Sequence, residues 1–207
     1  MVDKAITVTL FFSFNVSLSS WENVGLLKRE IKFYNELAKK NINIQFLTYG
    51  NNLDMEFSKL IPNIQILPIY SRLKKPKYKI IQLLQSFLIP FYFRKELKKS
   101  DVFKTNQMWG SWVAVISQII WKKKLLIRTG YELYSFVLKE NNSKFYKLFC
   151  YIISKLAYKK ADQIKVATYS DKSFVIKTFK INNKIIYINQ NWIDTELFKP
   201  QNRVFSK

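Results

Sequence analysis

About seven short runs rich in Ile, Leu, Val and Phe punctuate the chain, and the segments between them carry apolar residues at helical spacing. The first run, "AITVTLFFSF", is β-rich and mostly apolar, as expected of a strand buried on both faces. "INIQFLTYG", "IQILPI", "DVFKTNQ", "KKLLIRTGY", "DQIKVATY" and "KIIYINQ" follow it. Strands that alternate with helices run parallel, and a parallel sheet is expected to be covered on both faces. The fold class is therefore α/β, a Rossmann-like doubly wound parallel sheet of about seven strands.

The helical segments are equally legible. In "SSWENVGLLKREIKFYNELAKKN", Leu27, Ile31, Tyr34 and Ala38 share one face, and Lys39 and Lys40 suit the negative end of the dipole. Ser19 and Glu22 have the spacing of a capping box. "KYKIIQLLQSFLIPFYFRKELKK" predicts a helix interrupted at Pro90. "GSWVAVISQIIW" predicts another. "YSFVLKENNSKFYKLFCYIISKLAYKKA" predicts a long one broken near Asn141 and Asn142, and "SDKSFVIKTF" a short one.

Composition bounds the rest. A chain of 207 residues, 48% hydrophobic and 16% aromatic, suits one packed domain with a short tail. The opening lacks a basic n-region and has an acidic residue before its apolar run, so no signal peptide is expected. The one cysteine, Cys150, has no internal disulfide partner and sits among aromatics as a core thiol would. A cytoplasmic protein fits these features. Lys and Arg outnumber Asp and Glu by 35 to 14, a net charge of +21 that attracts nucleic acid, anionic lipid or phosphorylated substrates. No nucleic-acid-reading motif or groove-fitting basic helix accompanies the charge, so nucleic acid is not the expected partner.

Several chemistries are excluded. The chain has no histidine, which removes Ser-His-Asp and Cys-His constellations and every His-ligated metal site. "SFNVSLSSWENVG" stands after the first strand where a dinucleotide fingerprint would read GxGxxG, and there is no phosphate-binding GxxxxGK[ST] loop. No cofactor, metal or catalytic residue is assigned.

In such sheets ligands bind outside the carboxyl ends of the strands. The residues expected on that rim are Ser13–Gly25, Tyr49–Asp54, Asn106, Gln107, Arg128–Glu132, Thr168–Ser170 and Asn189–Asn191. Amides, hydroxyls, an arginine and tyrosines suit a polyhydroxylated ligand, because amides donate and accept at once.

The order of these segments resembles the N-terminal, acceptor-side half of GT-B glycosyltransferases, of the family 4 and subfamily-4-like type. "GLLKREIKFYNELAKK", "FLTYG", "KTNQMWGSWVA", "LLIRTGYE", "ADQIKVAT" and "NQNWIDTELFKP" carry the resemblance across nearly the whole chain. It implies a domain over residues 1–194 and the start of an interdomain linker over 195–207, with the donor-binding second domain absent. The implied activity is sugar transfer, with retention, from a nucleotide sugar to a polysaccharide or glycolipid acceptor at the cell surface. The nucleotide sugar would bind only with a donor-binding domain, and a saccharide or lipid-linked acceptor would be held by this half. The alternatives are a non-catalytic acceptor-binding module, a subunit of a split enzyme, and a basic nucleic-acid-binding α/β protein.

The resemblance also implies contacts residue by residue. Gly25 falls near the start of the first helix, and Arg29 forms an Arg-Glu pair with Glu30 that is otherwise a solvated surface pair. Asn106, Gln107 and Trp109 are implied acceptor contacts, although Trp109 also suits a core. Arg128, Thr129, Gly130, Tyr131 and Glu132 occupy the place after the fifth strand where many members carry a histidine, and Asn191 closes the set. Without the second domain, Trp21, Tyr49, Trp109, Tyr131 and Trp192 are expected to leave aromatic surface exposed. Glu22 with Glu30, and Glu132 with Glu140, each repeat the family's Glu-x7-Glu spacing, but in the wrong half, and are read as coincidence.

One segment points to a membrane. Apolar residues 80–93 are flanked by Lys74, Lys75, Lys77 and Lys79 and then by Arg94, Lys95, Lys98 and Lys99. The run is shorter than the roughly 20 residues needed to cross a bilayer. It suits an interfacial position on an anionic inner membrane face, or alternatively a sheet-packing helix with wet lysine ends.

Overall fold

A computed structural model of the chain describes residues 5–190. Asn191, Trp192 and the linker over 195–207 lie outside those residues. Seven parallel strands form one sheet in the order β3-β2-β1-β4-β5-β6-β7. They are β1 (Ile6–Phe11), β2 (Ile42–Thr48), β3 (Ile64–Pro68), β4 (Val102–Thr105), β5 (Lys124–Arg128), β6 (Gln163–Val166) and β7 (Ile186–Ile188). The order reverses at β1, the switch point where doubly wound sheets open a crevice.

The helices are α1 (Leu18–Asn23), α2 (Leu27–Ala38), α3 (Ile69–Arg72), α4 (Lys79–Ser86), α5 (Ile89–Tyr92), α6 (Arg94–Lys99), α7 (Ser111–Trp121), α8 (Leu133–Lys139), α9 (Lys144–Lys160) and α10 (Tyr169–Phe179). A 3-10 segment spans Asn52–Lys59.

Two boundaries differ from expectation. The first helical segment divides at Gly25, whose φ of +72° lies in the left-handed region and stops α1 before α2 begins. The capping box belongs to Ser17 and Ser20 rather than Ser19 and Glu22: Ser20 N–H donates to Ser17 Oγ at 3.1 Å and Ser17 N–H to Ser20 Oγ at 3.2 Å. The Pro90 segment forms three short helices instead of one kinked helix, with Pro90 in the first turn of α5, where its missing N–H costs nothing.

Alternation along the strands divides the core. Leu10 of β1 and Phe12 just beyond it, Ile44 and Phe46 of β2, and Ile64 and Ile66 of β3 pack on Leu18 and Trp21 of α1 and on Leu27, Ile31 and Tyr34 of α2. Phe11, Leu47, Leu67, Phe103, Leu125, Ile127, Ile164, Val166 and Ile186 face the other way, into the larger core with Phe93, Trp112, Cys150 and Tyr158. Cover is unequal. Among the described residues, the α2 face is open over β5–β7, where Lys124, Gln163 and Tyr187 are exposed and Leu126, Arg128 and Lys165 half-buried. Those positions alternate polar with apolar, which is why two-sided burial fails there.

Candidate functional site

The loops at the carboxyl ends of the strands are bonded to one another across the switch point. Phe14 N–H donates to Trp109 O at 3.2 Å, Tyr49 N–H to Val16 O at 3.0 Å, and Tyr70 N–H to Gly50 O at 2.9 Å. Gly110 makes the first contact possible. Its φ is +96°, and a Cβ there would stand 2.5 Å from Phe14 N. The β4 and β5 loops interlock next to it: Gly130 N–H donates to Gln107 Oε1 at 2.7 Å, and Arg128 Nη1 donates to Asn106 O at 3.3 Å and Oδ1 at 3.4 Å. A rim held by its own backbone holds its polar groups in place for a ligand.

Asp54 was not singled out from sequence, yet it organises one end of the rim. Its buried carboxylate accepts from Thr48 Oγ1 at 2.6 Å, Leu18 N–H at 3.2 Å, and Ser19 N–H and Oγ at 3.4 and 3.3 Å. The orphan amides of the first turn of α1 are thus taken by the chain's own anion. Gly50 lies against it, and a Cβ at Gly50 would overlap that carboxylate. The one sequence signal was a lone acid at a strand exit.

The sequence-predicted residues separate into groups. Asn106, Gln107, Arg128 and Gly130 come together as described. Thr129 is buried, and its hydroxyl donates to Tyr131 O. Glu132 is buried as the N-cap of α8, accepting from Ser135 N–H at 2.5 Å and Tyr158 Oη–H at 3.2 Å; desolvation holds its carboxyl above the usual range. Both its oxygens serve the chain itself. Trp109 is half-buried in an aromatic cluster with Phe14, Trp112, Tyr146 and Phe149. Gly25 is exposed in the α1–α2 turn. Of the aromatics expected on an open face, Trp21 and Tyr49 are instead buried, Trp21 against Phe12 and Phe46 and Tyr49 against Phe14 and Tyr70; Tyr131 is exposed.

Arg29 and Glu30 do pair, at 2.8 Å, but Glu30 is buried, so this is no solvated surface pair. Glu30 turns into a recess of about 60 Å³ with Tyr34, Lys104, Arg128, Lys165, Asn189 and Gln190. Lys104 Nζ donates to Tyr34 Oη at 2.6 Å. Burial, helped by the Arg128 charge and opposed by Glu30, brings the Lys104 ammonium down to about 7. A lysine inside the strand "VFKT" was the available signal.

A larger recess of about 500 Å³ opens at the carboxyl ends of β2 and β3, lined by Ser17, Ser19, Tyr49, Asn51, Tyr70, Lys74 and Lys75 among others. Another recess, about 630 Å³, lies at the amino ends of β1–β3, with Thr7, Asn41, Asn43 and Lys99 in its walls. Ligands of open α/β sheets bind at the opposite end, so the first of these two is the better candidate. Among the described residues no group of His, Cys, Asp and Glu side chains could hold a metal. Cys150 is fully buried, and burial pushes its thiol up. The arrangement offers hydrogen bonds and positive charge, with little acid–base chemistry of its own.

No protein-family model matches the chain, and no curated protein matches it. Solved structures do. HepE from Anabaena, in complex with UDP and glucose, superposes with a TM-score of 0.59 over 94% of this chain and 47% of its own, at 12% identity. A glycosyltransferase from Rickettsia africae gives 0.57 over 95% and 46%, at 16% identity. The apo lipopolysaccharide outer core galactosyltransferase WaaB gives 0.57 over 96% and 50%, at 13% identity. The chain spans about half the length of these neighbours. Its seven-stranded parallel sheet is the fold of one half of a GT-B glycosyltransferase.

Proposed function

We propose that the chain is the acceptor-side half of a glycosyltransferase of the family 4 type, which holds a saccharide or lipid-linked acceptor while a donor-binding half presents the nucleotide sugar. The support is the polar rim recess on a GT-B half-fold, beside a helix that is amphipathic the wrong way round for a soluble surface. Residues 1–194 form this half, and 195–207 begin the link to the other. Neighbouring HepE binds UDP-glucose, which suits a nucleotide-sugar donor for the complete reaction. Asn106, Gln107, Arg128 and Gly130 frame the rim, and Gly25, Arg29, Trp109, Thr129, Tyr131, Glu132 and Asn191 complete the proposed substrate region. In this reading Thr129 and Glu132 shape the rim from beneath.

The inverted helix is α4. Gln82 and Ser86 point inward, where Gln82 accepts from Asn15 Nδ2 at 2.9 Å and Ser86 Oγ accepts from Trp112 Nε1 at 2.7 Å. Outward stand Tyr78, Ile80, Ile81, Leu84, Phe87, Leu88, Phe91 and Tyr92, each between 37% and 62% exposed. Lys74, Lys75, Lys77, Lys79, Arg94 and Lys95 flank them along the chain, all exposed. No helix among the described residues is long and apolar enough to cross a membrane. An apolar face flanked by lysines instead rests on an anionic inner membrane surface, and Lys74 and Lys75 connect that face to the rim recess. A lipid-linked acceptor lifted from the bilayer would arrive there.

A subunit that only binds the acceptor is the second reading, favoured by the rim's two buried carboxylates, Asp54 and Glu132, both being taken by the chain's own donors. Backbone amide shifts on titration with oligosaccharides and short-chain lipid-linked saccharides test the binding claim. Changes are expected at Ser17–Ser20, Asn106–Trp109 and Thr129–Tyr131; saccharide binding centred at the amino ends of the strands would contradict it.

A further inference from the structure

Helix α9 has two apolar sides where a sheet-covering helix needs one. Its inner side, with Cys150, Ile153, Ala157 and Tyr158, is buried in the core. On the outer side Phe145 is 81% exposed, Leu148 55%, Ile152 45% and Leu156 52%. Their spacing confines all four to about 80° of arc along about 16 Å of helix, at 3.6 residues per turn. A surface helix ordinarily presents polar residues on that side. The same helix carries Lys144, Lys147, Lys155, Lys159 and Lys160 and no acidic residue.

We propose that α9 is a second membrane-contacting element, laying the stripe of Phe145, Leu148, Ile152 and Leu156 into an anionic lipid surface. The proposal rests on the reading of α4 and α5 as the first such element. An anionic bilayer complements both halves of the helix's outer chemistry, apolar area and positive charge. A second copy of the chain would cover the stripe but set five lysines against five. A nucleic acid would neutralise the lysines and leave the stripe in water.

Continuity with the first element supports the same occupant. Phe87, at the end of α4, stacks on Trp112 with ring centroids 6.4 Å apart. Trp112 meets Trp109 edge-on at 5.4 Å, and Trp109 contacts Tyr146 and Phe149 of α9 at 6.1 and 6.2 Å. A packed aromatic bridge through Trp112 and Trp109 therefore links α9 to the end of α4. Two linked contacts bind a surface far more tightly than either alone, because the second engages at high effective concentration. They also fix the domain's tilt, and with it the direction in which the rim faces the bilayer.

Sedimentation of the full chain with mixed phosphatidylcholine–phosphatidylserine vesicles, against phosphatidylcholine alone, tests this. Phe145→Ser with Leu148→Ser changes only exposed side chains and is expected to lower partitioning at least about tenfold. Lys144→Gln, Lys155→Gln and Lys159→Gln are expected to lower it about fivefold each at low salt. Leu148→Cys carrying a polarity-sensitive dye, with the buried Cys150 left unlabelled, is expected to shift to the blue on anionic vesicles and be quenched by nitroxide lipids. A dye that stays in water, with the serine pair binding like the parent while Ile80→Ser with Leu84→Ser abolishes binding, overturns the role of α9 alone. A parent chain that binds neither vesicle overturns both elements. Concentration-dependent dimerisation lost in the serine pair, with no lipid effect, assigns the stripe to a second copy and overturns the proposal.

Discussion

Lys104 shows what a single residue in an unusual place does to a small domain. It stands in mid-strand and donates to Tyr34 Oη, near Arg128, with Glu30 as the compensating charge. Its folded-state pKa of about 7 lies below the ordinary 10.5, so between those values the unfolded chain binds more protons than the folded one. Stability contributed at this site therefore rises as pH climbs from about 7 towards 10.5, and is lowest, and flat, below 7. Denaturant unfolding across that range should show the upward slope in the parent chain and its loss in Lys104→Met. A reductively methylated Lys104 titrating like a surface lysine would refute this. Gly110 and Gly25 make a second, paired prediction. Both have positive φ, but only Gly110 has a backbone atom where its Cβ would go. Gly25→Ala should cost about 1 kcal/mol, the conformational term alone. Gly110→Ala should cost about 2 kcal/mol or more and disturb the amide of Phe14. Equal urea midpoints for the two variants would remove the argument that loop contact at Gly110 builds the rim.

At the scale of elements, strands and most helices were legible because their apolar spacing reports burial directly. The β1, β2 and β3 runs put apolar residues on both faces towards their carboxyl ends, Leu10 beside Phe11, Phe46 beside Leu47 and Ile66 beside Leu67, where α1, α2 and the opposite core enclose them. "QIKV" and "KLLIR" misled, since a lysine or glutamine on alternate positions marks a face that α2 does not reach. The first helical segment concealed its division because one left-handed glycine leaves no trace in the apolar period. For residues 80–93 the sequence left two readings, and the observation behind the interfacial proposal is that Gln82 and Ser86 are buried while Ile80, Ile81 and Leu84 are exposed. Replacing Lys74, Lys75, Arg94 and Lys95 with Glu should abolish binding to anionic vesicles, and added salt should weaken the parent's binding, because each basic residue near such a surface contributes about 1 kcal/mol. Binding indifferent to lipid charge would return α4 to a purely structural role.

At the scale of the molecule, the doubly wound sheet puts every polar strand exit on one edge, and the hydrogen bonds among its loops keep that edge in shape without a ligand. The site was legible as a location and only partly as a list. Strand order fixes where polar residues emerge, while whether Glu132 meets a ligand or caps α8 depends on local geometry that spacing does not encode. The account's central claim is that this half recognises an acceptor and leaves the donor to another half. Turnover of a radiolabelled nucleotide sugar by the purified chain, measured with parallel calorimetric titration of UDP-glucose, tests it most directly. No hydrolysis or transfer above buffer and only weak binding are expected, whereas robust turnover by these 207 residues would contradict it.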